Sequence, residues 1–165
     1  MFDNIIAIIA LIVSILSLGL SIYFWRRQFR PIITVAVKTA AAGNLSIIFN
    51  LQVKNSGALP AKDIKLSVDQ SDLERAFANG ATQENKNLWL AAFNEENMIE
   101  SLQNGETITC SFGMSQPNDK GFWKYKSKLP ITIEYSGWFG THYKDMQIVK
   151  ITNSESFTDS QWGDS

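Results

Sequence analysis

Leu45-Ser46-Ile47-Ile48-Phe49-Asn50-Leu51-Gln52-Val53-Lys54 decides the fold. Leu45, Ile47, Phe49, Leu51 and Val53 alternate with Ser46, Ile48, Asn50, Gln52 and Lys54. A period of two held this long is the pattern of a strand with one face in a core. On its N-terminal side Ile33, Val35 and Val37 alternate with Thr34, Ala36 and Lys38, which predicts a partner strand. On its C-terminal side Asn55-Ser56-Gly57 tolerates positive φ and Pro60 marks the edge of a turn. Ile64, Leu66 and Val68 then alternate with Asp63, Lys65 and Ser67.

The period breaks at Ser71-Asp72-Leu73-Glu74, which reads as a helix start that continues to Asn79 and stops at Gly80. Residues 80–104 are rich in Asn, Gln and Glu and receive no assignment; within them, 88–93 is either a short strand or a helical turn. Alternation returns with Ile108, Cys110, Phe112 and Met114, and strands are predicted over 122–126, 131–135 and 142–151. Ser136-Gly137-Trp138-Phe139-Gly140 is a glycine-bounded connection between the last two. About seven short strands with turns between them predict an all-β, antiparallel sandwich.

Upstream of these strands, residues 5–25 form a run without a charge, IIAIIALIVSILSLGLSIYFW. As a helix the run spans about 31 Å, matching a hydrocarbon layer of about 30 Å. Tyr23, Phe24 and Trp25 stand where an interfacial belt sits, and Arg26, Arg27 and Arg30 follow. A cleaved signal peptide needs a basic start, a shorter core and small residues at the cut; none is present, so the span is read as retained. The arginine flank places the C-terminal part in the cytoplasm of a single-pass protein of the inner (cell) membrane. A periplasmic or extracellular domain is the alternative. The domain plan is therefore 1–30 anchor and basic flank, 31–151 β-sandwich, and 152–165 acidic tail.

A span ending in arginines and proline, followed after the second strand by Asn-x-Gly-x-x-x-Ala (Asn55, Gly57, Ala61), resembles bacterial single-pass proteins with an immunoglobulin-like module. It is similar to the CARDB and LEA14-type sandwich domains, and the Tyr135…Phe139-Gly140…Tyr143 hairpin has the same character. The resemblance covers residues 31–150 and implies an immunoglobulin-like sandwich. It carries over no catalytic residue, and the central insertion departs from the compact pattern.

Composition narrows the chemistry. In the 165 residues, fifteen basic residues against sixteen acidic ones give a net charge of −1, and from Pro31 onward twelve basic residues face fifteen acidic ones, so a nucleic-acid partner is disfavoured. One cysteine and one histidine cannot build a Cys/His zinc site, and neither a metal nor a cofactor is expected. GxxxxGK, GxGxxG, GxSxG and HExxH are all missing from the sequence. Cys110 is in phase with Ile108 and Phe112 and reads as a small core residue. Glu95, Glu96 and Glu100 would share a face if their segment were helical. No catalytic residue is assigned, and the chain is read as a non-enzyme.

Two features remain as contact surfaces. Ala7, Ala10, Ser14, Ser17 and Ser21 fall on one face of the span, the kind of stripe along which membrane helices approach closely. In a strand over 122–126, Lys124, Lys126 and Lys128 would share one face with Lys120 nearby, and Trp123 would lie opposite; this is either a surface for headgroups or a partner, or an edge guarded by lysines. The expectation is a membrane-anchored binding or scaffold protein, held in the bilayer through residues 5–25. It would present its sandwich to a membrane or membrane-associated protein, or to itself. The alternative is an oligomerising membrane effector with the sandwich as sensor.

Overall fold

The computed structural model describes residues 2–155, so most of the expected acidic tail lies outside the described residues. The chain divides into two compact units, 1–30 and 31–165. The first is a single helix, α1 (Phe2–Gln28). Its Asn4–Trp25 stretch of 22 residues is long and apolar enough to cross a membrane, and none of it is buried within the protein. Tyr23 and Phe24 pack edge to face at 5.6 Å, and Trp25 packs on Phe29 at 5.6 Å.

The second unit is mostly β, with strands β1 (Ile33–Ala42), β2 (Ile47–Asn55), β3 (Ala61–Ser67), β4 (Ile99–Leu102), β5 (Thr107–Ser115), β6 (Lys128–Gly137) and β7 (His142–Lys150). Two short helices, α2 (Gln70–Ala76) and α3 (Gln83–Trp89), and a 3-10 turn at Ala91–Phe93 separate β3 from β4. The strands form two antiparallel sheets, one ordered β1-β2-β5 and the other β4-β3-β6-β7. The predicted alternation is what fills the core. Phe49 and Leu51 of β2 are fully enclosed with Ile33, Val35 and Val37 of β1, and Ile64, Ile131 and Ile133 of the other sheet join the same cluster.

Asn55 closes the end of the unit where the chain enters it. Its side chain is fully buried and accepts from the Ile32 and Gly57 amides at 3.3 and 2.9 Å. Its amide group donates to the Leu59 and Leu102 carbonyls at 2.8 and 3.0 Å. Four bonds from one side chain explain the Asn-x-Gly motif: Asn55 joins β1, the 55–60 turn and the end of β4.

Two expectations change and one open alternative is resolved. The strand predicted over 122–126 is a loop, and the seventh strand is instead β4, inside the stretch left unassigned. Gly113, at φ +77°, bends β5 so that both Phe112 and Gly113 point inward, and a Cβ there would meet Phe122 at 3.0 Å and Trp123 at 3.3 Å. That bend opens the slot into which Phe122 and Trp123 insert side by side, so the two faces predicted for 122–126 do not form. The helix predicted to Asn79 ends at Ala76, because 77–80 pairs with 119–123 through Ala78 N–H to Phe122 O (2.8 Å) and Gly80 N–H to Gly121 O (2.9 Å). Residues 88–93 take the helical alternative.

Candidate functional site

Each sheet has two outer strands whose free backbone groups need covering or guarding. The edge of β1 is covered by Gln147: Val35 N–H donates to its Oε1 at 2.9 Å, and its Nε2 donates to Ile33 O at 2.8 Å. Further along, Thr39 N–H donates to Ser154 Oγ at 2.9 Å. β7 carries Lys144, Asp145 and Lys150, and β4 carries Glu100. The N-terminal half of β5 is different. Thr107-Ile108-Thr109-Cys110-Ser111 has no charge and no proline, and every residue in it is exposed.

Beneath that edge lies a cleft of about 230 Å³ between the two sheets. Leu51 and Val53 of β2 and Ile64 and Leu66 of β3 form its floor, Ile99 of β4 one wall, and Ile108 and Cys110 of β5 the other. Ala91 and Ala92 of the 3-10 turn roof it, held by Asn97 Nδ2 donating to Ala91 O at 2.8 Å. Register explains the β5 wall: Cys110 lies opposite Leu51 and Ile108 opposite Val53, so both share the inward face. The phase predicted for Cys110 is therefore correct and its burial is not, because it lines an open cleft on an outer strand. Cys110 is exposed, and Ile108 keeps 39% of its surface open. Carbon on several sides still removes water from the thiolate, and burial pushes the Cys110 thiol above its ordinary value.

The lysine segment forms no flat surface. Lys120, Lys124, Lys126 and Lys128 are exposed, but Trp123 is fully enclosed and cannot meet a headgroup or partner. Lys126 sits at φ +66° in a turn, with its N–H bonded to Ile151 O at 2.8 Å. On α1, Ala7, Ala10, Ser14, Ser17 and Ser21 line an arc of about 80° by helical geometry. Ser14 and Ser21 each donate to the carbonyl four residues back, Ala10 O and Ser17 O, at 2.8 Å. Those hydroxyls are spent within the helix. Glu95 and Glu96 lie in a turn and Glu100 in β4, so the three carboxylates share no helical face.

Across β6 and β7, Ser136 Oγ lies 3.0 Å from His142 Nδ1, a pairing visible only once the hairpin register is known. Beside it Lys144 reaches Glu134 at 2.7 Å; its hydrogen bond, then its charge, hold the Glu134 carboxyl below the usual carboxylate range, and Lys144 is raised in turn. Among the described residues no group of three His, Cys, Asp or Glu is placed to hold a metal.

The model of one family, a domain of unknown function (DUF8453), matches residues 2–154. The chain belongs to DUF8453. The matched stretch takes in α1 together with all seven strands, so the DUF8453 model includes both the span and the cleft. No curated protein and no solved structure matches the chain.

Proposed function

We propose that this DUF8453 chain is a non-enzymatic, membrane-anchored binding protein that holds an extended segment of a protein partner along β5. The observation that carries it is an uncharged open strand edge lying directly over an apolar cleft. A strand added there gains main-chain hydrogen bonds from β5, and every second side chain of the added strand drops into the cleft. The partner segment is accordingly one that alternates apolar and polar residues. The three-plus-four division of the strands and the Asn55 turn support an immunoglobulin-like sandwich similar to the CARDB and LEA14-type domains, although the family matched is DUF8453. Three arginines after the span support a cytoplasmic face of the cell membrane for this unit.

The test uses one substitution. Ile108→Lys sets a charge at the cleft mouth, on a side chain already 39% exposed, so the fold should survive. Full-length protein is isolated in mild detergent with whatever it holds. The proposal expects a partner present with the native chain and lost with Ile108→Lys, and protection of Cys110 from alkylation while the partner is bound. Equal recovery of partner with both chains rejects the β5 cleft. The alternative, an oligomerising membrane effector, has the α1 stripe in its favour and expects cells to depolarise when the chain is overproduced.

A further inference from the structure

The β6–β7 turn carries two large aromatics where a water-exposed turn usually carries polar residues. Trp138 and Phe139 are 57% and 55% exposed. Their turn is rigid: Gly137 N–H donates to Thr141 O at 2.8 Å, Gly140 N–H donates to Gly137 O at 3.0 Å, and Gly140 holds φ +73°. Lys62 places its ammonium 4.6 Å from the Trp138 ring centre. Tyr135 Oη donates to Pro31 O at 3.4 Å, and a Cβ on Gly137 would lie 3.5 Å from Pro31 Cδ. The turn therefore adjoins the residue at which the chain enters the β unit. Ile32, 41% exposed, follows that residue.

Between Trp25, the end of the span, and Pro31 lie only residues 26–30. Even fully extended, that connection is at most about 22 Å long. The limit is covalent and holds for any orientation of the two units. With the span in a bilayer, that tether leaves the turn within reach of the interfacial layer, where tryptophan and phenylalanine rings partition and a lysine beside them meets phosphate. We infer that residues 137–141 form a second membrane contact, with Trp138 and Phe139 entering the headgroup–acyl boundary and Lys62 facing lipid phosphate. A pre-ordered turn loses little freedom on insertion, which favours this use of it. The glutamate on the neighbouring 103–106 turn, Glu106, is tied to its own turn by accepting from Gln103 N–H at 2.7 Å.

This inference rests on the span and is independent of the β5 cleft. Cys110→Ser removes the only thiol, and Thr141→Cys then takes an apolar fluorophore beside the intact aromatics. The full chain is placed in phosphatidylcholine vesicles brominated on one acyl chain, and flotation verifies that it is membrane-bound. Lys144→Cys, further along β7, is the reference. The expected result is several-fold stronger bromine quenching at 141 than at 144, abolished when Trp138→Ser and Phe139→Ser are added while flotation is unchanged. Equal quenching at both positions overturns the inference. So does a label at 141 shielded from both brominated lipid and aqueous iodide, which would mean that protein covers the turn.

Discussion

Trp123 donates its indole N–H to the Phe112 carbonyl and packs against Phe122, Phe112 and Phe77 with ring centres 4.7, 4.8 and 5.5 Å away. In sequence, Lys-aromatic alternation around it imitates a strand. What overrules that local signal is Gly113 on another strand, and no window around 123 contains it. Trp123→Ala should therefore cost about 3–5 kcal/mol of stability, while Trp123→Phe should cost about 1–3 kcal/mol by stranding the Phe112 carbonyl. Denaturation of the full chain in detergent, followed by circular dichroism, measures both. Cys110 allows a second prediction. With its pKa raised by burial, the folded chain should alkylate more slowly near neutral pH than the denatured chain and speed up as pH rises. The linkage has a definite sign: the unfolded thiol ionises first, so stability falls as pH climbs past the ordinary thiol range. Faster alkylation of the folded chain at neutral pH would contradict the geometry.

Among the elements, β1, β2, β3, β5, β6 and β7 were legible because each shows period two in sequence, whereas the pairings of β2 with β5 and β3 with β6 were not. β4 has four residues, Ile99–Leu102, too few for a period to show. The candidate cleft was legible only by half. The phase of Ile108 and Cys110 is local, but their exposure depends on sheet order and on a roof contributed by residues 91–97. That Ala7, Ala10, Ser14, Ser17 and Ser21 share one face of α1 follows from helical spacing, and the hydroxyls of Ser14 and Ser21 bond within the helix. Close backbone approach is then the main contribution expected of the stripe to association. Ser14→Leu with Ser17→Leu should weaken association of the span in a membrane reporter assay by steric separation. Ile8→Leu with Ile15→Leu, on the opposite face, should leave it unchanged. Equal association by both pairs would reduce the span to a plain anchor.

At the scale of the molecule, the described residues hold one helix long and apolar enough to cross a membrane and one β unit; with that helix in a bilayer, the side on which the β unit stands is a single binary property. The arginine flank predicts that a reporter fluorescent only in the cytoplasm glows when fused after Ser165, and that a phosphatase active only outside stays silent. The opposite result would move the β unit to the other face. The Asn55 junction has a mechanical consequence in either case. Tension on the anchor arrives at Ile32, whose N–H is held by Asn55 and whose carbonyl accepts from Ser56 N–H at 2.8 Å. It passes into β1 and across the ladders to β2 and β5, the strand proposed to hold the partner. Anchor and cargo would thus pull on opposite margins of one three-stranded sheet, which Tyr135 of β6, Gln147 of β7 and the Asn55–Leu102 bond also tie to the other sheet. A tug between membrane and partner would load that sheet directly and reach the other only through those few side-chain bonds.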